Sequence, residues 1–169
     1  MSLENTAPKK FDQLAELHVA GLFAEAKWSV YFPHRDQGFD FIAVKKVADS
    51  FVIRPVQVKG KYPNADKKNK VSYGYVGELS QTDPEMVLAI PYFASGEIPI
   101  LEHVAFMPLT RVREHQRGFR CEPAKFVNGK AFPRRDYAKF FDRQGLKHLE
   151  QQTWSKEILS VVESVDAAE

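Results

Sequence analysis

The chain has few of the residues and patterns on which several protein classes depend. Cys121 is the only cysteine in 169 residues, so an intrachain disulfide is excluded, and the five histidines show no close pairing that would suggest a structural zinc site. No apolar run approaches the roughly 20 residues that span a bilayer. The opening segment MSLENTAPKK has no apolar stretch like that of a secretory signal. These absences predict a cytoplasmic protein without a membrane partner.

Motifs of several enzyme classes are also missing from the sequence. It has no glycine-rich phosphate loop, no nucleophile elbow and no histidine-based metalloprotease motif. The composition, with 44% hydrophobic and 12% aromatic residues, is that of a folded protein and excludes a disordered chain. The length predicts a single domain over residues 1–169, with a core at about 10–110 and a basic C-terminal extension at about 111–169.

Positive charge is concentrated in one segment, although the net charge of the chain is only +2. Residues 111–148 carry eleven Lys and Arg against four Asp and Glu, whereas residues 149–169 carry one against five. Such a patch raises the local concentration of polyanions; a solvated basic face without a ligand is the alternative. The candidate phosphate-contacting residues lie in this segment and in the lysine-rich loop KYPNADKKNK: Lys61, Lys67, Lys68, Lys70, Arg111, Arg113, Arg117 and Arg120.

Hydrophobic periodicity predicts a helix, three strands, a polar loop, two more strands and closing helices. The helix covers about residues 10–27, and FDFIAVKKV and FVIRPVQVKG form a hairpin around the tight ADS turn. Pro55 argues against full pairing at its position, or for a bulge. The other strands are WSVYFP, MVLAIPYF and HVAFMPL, and the closing helices are RRDYAKFFDRQGLKHLEQQ and WSKEILSVVESV. This order is typical of an α/β or α+β layer protein.

Three polar side chains occur inside the two otherwise apolar strands of the hairpin. Gln57 and Lys59 are two residues apart and therefore project from the same face at the end of their strand. Asp40 opens the preceding strand, so an antiparallel hairpin brings all three to one edge of the sheet. Carboxylate and amide oxygens suit Mg²⁺, and an ammonium group can orient water or stabilise negative charge. Glu16 adds a carboxylate beside apolar helical neighbours, where burial favours a bound cation; Asp36 is an alternative to it.

The segments GFDFIAV and VQVKG resemble motifs II and III of the PD-(D/E)xK nuclease superfamily, in small prokaryotic members with a Q-x-K third motif. The resemblance covers about residues 10–60 and implies a restriction-endonuclease-like α/β core: a central mixed β-sheet flanked by helices, here with extra C-terminal helices. It implies Mg²⁺- or Mn²⁺-dependent hydrolysis of DNA phosphodiester bonds. Asp40 and the backbone carbonyl of Val58 would hold the metal, with Gln57 as a weaker ligand. Glu16 would assist the metal shell, and Lys59 would position or deprotonate the attacking water.

Two features leave other functions open. Gln57 stands where the family pattern has a carboxylate, so a catalytically inactive nucleic-acid-binding member of the same fold is one alternative. A non-enzymatic domain that docks an acidic protein through its basic segment is another. Because superfamily nucleases are often dimers, the resemblance also leaves a homodimer open, although no interface can be read from the sequence.

Overall fold

The computed structural model describes residues 8–63, 74–79, 83–116 and 118–155. Its centre is a five-stranded sheet, and two small sheets and short helices pack around it. The helices and strands are, in chain order, α1 (Pro8–Glu25), β1 (Ser29–Tyr31), β2 (Phe41–Val47), β3 (Ser50–Val58), β4 (Tyr75–Gly77), β5 (Val87–Ala94), β6 (Ile100–Pro108), a 3-10 helix (Leu109–Arg111), β7 (Arg113–His115), β8 (Gly118–Arg120), β9 (Ala124–Val127), β10 (Lys130–Pro133), a second 3-10 helix (Arg135–Phe140) and α2 (Asp142–His148).

The first helix follows from the spacing of its apolar residues. Ala15, Val19 and Phe23 recur at intervals of four and are fully buried against the sheet. The helix ends where Lys27 takes the left-handed conformation, with φ of 68°. There the N–H of Trp28 donates to the carbonyl oxygen of Phe23 at 3.0 Å, which satisfies one of the last helical carbonyls. The predicted first helix is therefore confirmed, shifted by two residues toward the N-terminus.

The central sheet has the order β1-β2-β3-β5-β6. Strand β3 pairs with β5 in parallel, and the other neighbouring pairs are antiparallel, so the sheet is mixed. The predicted hairpin is present as β2 and β3, with continuous register from the pair Phe41–Val56 to the pair Val47–Ser50. The chain is thus an α/β protein with a central mixed sheet and few helices.

Pro55 is accommodated without a bulge in the hairpin. It pairs with Ile42, and the register between β2 and β3 does not shift there. The carbonyl of Val56 accepts from Asp40 and therefore points toward β2, so the nitrogen of Pro55 points to the other side. On that side the ladder with β5 starts only at Val56. The missing N–H of proline consequently costs no ladder hydrogen bond.

Apolar side chains form one core on each face of the central sheet. On one face, α1 packs over β2, β3 and β5, and residues near the C-terminal end of the described chain, including Leu149 and Trp154, complete this core. On the other face, residues from segments 119–131 and 137–141 cover β5 and β6. Segments from both the predicted core and the predicted extension contribute to each layer. No helix among the described residues is long and apolar enough to cross a membrane.

The C-terminal half differs from the helices predicted there. A single helix over residues 134–152 is wrong: a 3-10 helix and α2 are separated at Phe141, which is extended and forms a bridge with Ala105 of β6. Asp142 follows with φ of 53°, and its Oδ1 accepts from the N–H of Val104 at 2.8 Å. Contacts to β6 therefore override the helical periodicity. The second predicted closing helix, from Trp154 onward, lies almost wholly outside the described residues.

Candidate active site

The hairpin positions the three polar residues at one end of the sheet. Asp40 directly precedes β2, Gln57 lies near the end of β3, and Lys59 follows β3. The N–H of Asp40 donates to the carbonyl of Val56 at 2.8 Å, and the N–H of Lys59 donates to the carbonyl of Ala89 at 2.9 Å. These hydrogen bonds continue the sheet past the ends of both strands. The backbone that carries the three side chains is therefore held by the central sheet.

The carboxylate of Asp40 is anchored to the neighbouring strand. Its Oδ2 accepts a hydrogen bond from the N–H of Val58 at 2.6 Å. The N–H and carbonyl of one strand residue point to the same side of the strand, so the carbonyl of Val58 is directed toward Asp40. This is the carbonyl that the sequence resemblance assigns to the metal. Asp40 and Val58 thus offer two oxygen ligands close together, where β2 begins and β3 ends.

A cavity of about 520 Å³ opens at this end of the sheet. It brings together the four side chains predicted from the sequence, Glu16 from α1 with Asp40, Gln57 and Lys59 from the hairpin. The loop between β1 and β2 forms much of the remaining wall, and one residue follows β4. These further lining residues are Phe32, Pro33, His34, Arg35, Asp36, Gly38, Phe39 and Glu78.

The charges around the cavity are dominated by carboxylates. Four acidic side chains line it against the two permanent cations Arg35 and Lys59. Burial is the main cause that raises the pKa of Asp40, and the hydrogen bond from Val58 only partly opposes it. Burial also raises the pKa of Glu16, with the charge of Asp40 as the next cause, while Lys59 lowers it. The cavity therefore disfavours two ionised carboxylates on their own and favours an added positive charge.

Gln57 has the most unusual environment of the group. Its side chain is only 7% exposed, and its Oε1 is buried without a hydrogen-bond partner among the described residues. A buried carbonyl oxygen without a partner costs free energy, roughly 1–3 kcal/mol. A cation or an ordered water in direct contact with this oxygen would satisfy it. Gln57 thus lines the cavity together with the carboxylates of Asp40 and Glu16, and its amide oxygen is a candidate metal ligand that has no protein partner among the described residues.

The donor set suits a hard divalent cation that keeps part of its water shell. Within the described ranges, no three His, Cys, Asp or Glu side chains lie together closely enough to form a metal cage. Mg²⁺ does not require such a cage, because it is commonly held through one or two carboxylates and several waters. Asp40 and Glu16 would hold it, with the amide oxygen of Gln57 and the carbonyl of Val58 as neutral donors.

Sequence reasoning missed part of the cavity wall. Glu78 follows β4, and its place in the cavity depends on tertiary packing that no local motif reports. Arg35 lies in the turn after β1 and also lines the cavity. Asp36, the alternative to Glu16, lines the cavity as well, while its Oδ1 accepts from the N–H of Gly38 at 2.9 Å. Asp36 therefore shapes the turn and contributes negative charge to the same site.

The described residues among those predicted to contact phosphate do not line the cavity. They are Lys61, Arg111, Arg113 and Arg120. Lys61 bridges to Tyr92 of β5 instead of extending into a loop, and burial lowers its pKa to about 8. The guanidinium of Arg111 lies 5.7 Å from the ring centre of Tyr137. Four further candidates, Lys67, Lys68, Lys70 and Arg117, lie outside the described residues.

Cys121 is a structural thiol rather than a nucleophile. Its side chain is buried in the core beneath β5 and β6, and burial raises its pKa to about 12. A thiol with that pKa is almost wholly protonated at neutral pH and is a poor nucleophile.

Comparison with known proteins adds no identification. No protein-family model, no curated protein and no solved structure matches this chain. A function can therefore be inferred only from the cavity and from the residues that form it.

Neutralising Asp40 should stabilise the protein when no metal is bound. Its folded-state pKa is raised, so the stability that this group contributes is full below its unfolded pKa and is lost as the pH rises through the folded pKa. Asp40→Asn removes the buried charge at neutral pH and keeps an oxygen that can accept from Val58. We expect a higher melting temperature at pH 7 in EDTA, with the difference shrinking as the pH is lowered toward 4.

Glu97→Gln is the matched control for this measurement, because Glu97 is an exposed acidic residue in the turn between β5 and β6. It should leave the melting temperature unchanged at both pH values. A lower melting temperature of Asp40→Asn at pH 7 would show that the carboxylate of Asp40 stabilises the metal-free fold, contrary to this expectation.

Proposed function

We propose that the protein is a Mg²⁺- or Mn²⁺-dependent DNA endonuclease of the PD-(D/E)xK type. The main support is that Asp40, Gln57 and Lys59, from the ends of adjacent strands, line one cavity together with Glu16 of the first helix. These are the side chains and the order along the chain that the resemblance assigns to metal binding and hydrolysis. The negative cavity and the unpaired oxygen of Gln57 add support that is independent of the motif.

Each residue has a distinct role in this proposal. Asp40 and Glu16 hold the cation, and Gln57 and the carbonyl of Val58 complete the protein donors. A divalent cation at this place supplies charge neutralisation for the scissile phosphate and lowers the pKa of a water. The ammonium group of Lys59 orients the attacking water and stabilises negative charge that develops on the phosphate. Arg35, which also lines the cavity, provides a second cation for phosphate oxygens.

A catalytically inactive nucleic-acid-binding protein is the second candidate. The observation in its favour is that position 57 holds a neutral amide and that no cluster of three acidic or histidine ligands forms within the described part of the chain. Because an amide adds no charge, cation affinity should be lower than with a carboxylate at this position. In this case the cavity would retain the geometry of a nuclease without sufficient metal affinity for catalysis.

A cleavage assay separates the two candidates. Fluorescently labelled single-stranded, duplex and branched DNA are incubated with the purified chain in Mg²⁺, in Mn²⁺ and in EDTA. The nuclease proposal expects products from at least one substrate in the presence of metal and none in EDTA. Salt-dependent DNA binding without cleavage in either metal would instead establish the inactive binding protein.

Restoring the carboxylate at position 57 should strengthen metal binding. Gln57→Glu adds a charged oxygen where the amide oxygen is now unpaired, and we expect Mg²⁺ to bind about tenfold more tightly, since ligand charge sets the affinity of such sites. Titration calorimetry measures this directly. Since the new carboxylate is buried beside Asp40, the melting temperature in EDTA should fall and should recover when Mg²⁺ is added.

Gln144→Glu is the control, because Gln144 is exposed on α2 and is not part of the cavity lining. It should change neither the affinity for Mg²⁺ nor the response of the melting temperature to the metal. Unchanged Mg²⁺ affinity in Gln57→Glu would remove Gln57 from the proposed ligand set.

A further inference from the structure

One face of the hairpin carries an uncovered strip of apolar side chains. Alternate residues of β1, β2 and β3 point away from α1, and strand register aligns them in rows. The rows pair Ser29 with Val44 and Ile53 and pair Tyr31 with Ile42 and Pro55. We call this strip the outer face, and it consists of Tyr31, Ile42, Val44, Lys46, Phe51, Ile53 and Pro55.

The outer face is exposed, unlike the same side of the sheet at β5 and β6. Exposure reaches 60% for Tyr31, 65% for Phe51 and 53% for Ile53. The neighbouring half of the sheet is covered by the core that includes Ala124, Ala131 and Phe140. Clustered apolar exposure of this kind on an otherwise covered sheet marks an interaction site.

The outer face leads directly into the cavity. The hydrogen bond from Asp40 to Val56 continues the ladder, so Asp40 and Gln57 form the next row after Ile42 and Pro55. A ligand lying along the outer face would therefore reach the candidate catalytic groups without leaving the sheet.

The small size of the outer face argues against a second copy of the chain as its occupant. It consists of seven side chains, whereas a stable protein interface takes about 20–30 residues from each partner. With about 200 Å² for each aromatic side chain, the exposed fractions of Tyr31 and Phe51 leave roughly 250 Å² of ring surface. The strip is narrow, it carries two exposed aromatic rings, Tyr31 and Phe51, and the cation Lys46 lies in register with Phe51. These properties suit stacked bases with phosphates at their edges.

We propose that the outer face stacks the unpaired bases of single-stranded DNA and directs that strand into the cavity. This inference rests on the proposed nuclease function for what happens in the cavity, but the stacking itself does not require cleavage. In a duplex the bases are already stacked on each other, so their faces are not available to Tyr31 and Phe51. The preferred substrate is therefore single-stranded DNA or an unpaired end or flap.

Binding measured in EDTA tests the stacking without any cleavage. Fluorescence anisotropy measures the binding of a labelled oligothymidylate of about 15 nucleotides and of a duplex of the same length. This length lies within the range that one single-strand-binding domain covers. Phe51→Leu keeps an apolar side chain but removes the ring, and we expect about tenfold weaker binding of the single strand, given the contribution of one base–aromatic contact. Phe51→Trp should bind as tightly as the parent.

Phe132→Leu is the matched control, because Phe132 is an exposed aromatic residue of a strand in another sheet. It should leave binding unchanged. Equal affinity of the parent and Phe51→Leu, or tighter binding of the duplex than of the single strand, overturns the proposal. Analytical ultracentrifugation provides a further test: a dimer that Phe51→Asp converts to monomers would assign the outer face to a second copy.

Failure of this inference and failure of the nuclease function have different signatures. Metal-dependent cleavage by the parent, together with equal single-strand affinity of the parent and Phe51→Leu, would leave the nuclease proposal standing and remove the stacking face. Ring-dependent binding of the single strand without cleavage in Mg²⁺ or Mn²⁺ would establish the stacking face and remove the nuclease activity.

Discussion

Replacing Arg54 with alanine is expected to lower the free energy of unfolding by about 3 kcal/mol, because the carbonyls of Leu149 and Gln151 lose their donor and a buried side chain loses its contacts. The corresponding fall in melting temperature is about 6–12 °C for a chain of this size. Thermal and urea unfolding, followed by circular dichroism, measure both quantities. Since natural domains are stable by only about 5–15 kcal/mol, this is a large fraction of the total.

The size of the effect follows from the contacts of one side chain. Arg54 is 2% exposed in the middle of β3. Its Nε donates to the carbonyl of Leu149 at 3.1 Å, one terminal nitrogen donates to the carbonyl of Gln151 at 2.7 Å, and the other pairs with Glu85. The guanidinium also lies 5.3 Å from the ring centre of Trp154. Arg54 thus joins the C-terminal end of the described chain to the central sheet.

Glu85 is partly exposed, so its loss of a partner adds little, and the two carbonyls account for most of the expected change. Arg134→Ala is the control, because Arg134 pairs with Glu122 at 3.2 Å on the surface. That variant should change stability by less than about 1 kcal/mol. If Arg54→Ala were as stable as Arg134→Ala, the buried network would not be what fixes the C-terminal segment on the sheet.

The surroundings of Arg54 also show which features of the fold could not be predicted from the sequence. The strands β2 and β3 were predictable because apolar residues are frequent in both and only a tight turn separates them. The burial of a charged residue within β3 was not predictable, since its partners at positions 149 and 151 lie more than 90 residues away. The alternation of side chains along a strand predicts which face of the sheet a residue lies on, but it does not predict which segment packs against that face.

The same limit explains the outcome for the C-terminal half. Residues 134–152 have helical periodicity, yet Phe141 is drawn into a bridge with β6 and Asp142 accepts from the backbone of Val104. The short strands β7 to β10 were not predicted from the basic segment, because three or four residues carry too little periodicity to indicate a strand. Tertiary contacts decide the structure of such short segments.

At the candidate site, the residues on or next to the first helix and the hairpin strands were predictable, whereas Glu78 and Arg35 were not. Alternation along β3 placed Gln57 and Lys59 on one face, and the antiparallel hairpin brought Asp40 beside them. Glu78 and Arg35 reach the cavity through turns, and no spacing rule predicts where a turn residue will project. The basic residues 111, 113 and 120 were assigned to the DNA from charge alone, and charge carries no information about distance from the cavity.

The largest effect on activity is expected from the pair of residues that the hairpin brings together. Lys59→Ala removes the ammonium group from the cavity, and cleavage should fall at least about 100-fold, the usual loss for one group that stabilises developing charge. Asp40→Asn keeps the oxygen that can accept from Val58 but removes the charge proposed to hold the cation, and cleavage should fall about 1,000-fold. Initial rates on the best of the three DNA substrates measure both losses.

Binding and folding controls decide how those losses are interpreted. Both variants should keep the circular dichroism spectrum of the parent, and Asp40→Asn alone should lose Mg²⁺ binding in titration calorimetry, because Lys59 is not a ligand. Lys125→Ala is the matched control, since Lys125 is an exposed strand lysine outside the cavity, and it should cleave at the parental rate. If Lys59→Ala and Asp40→Asn cut DNA as the parent does, the hydrolytic chemistry lies elsewhere in the molecule. If only Asp40→Asn loses activity, the cation site is right and the role given to Lys59 is wrong.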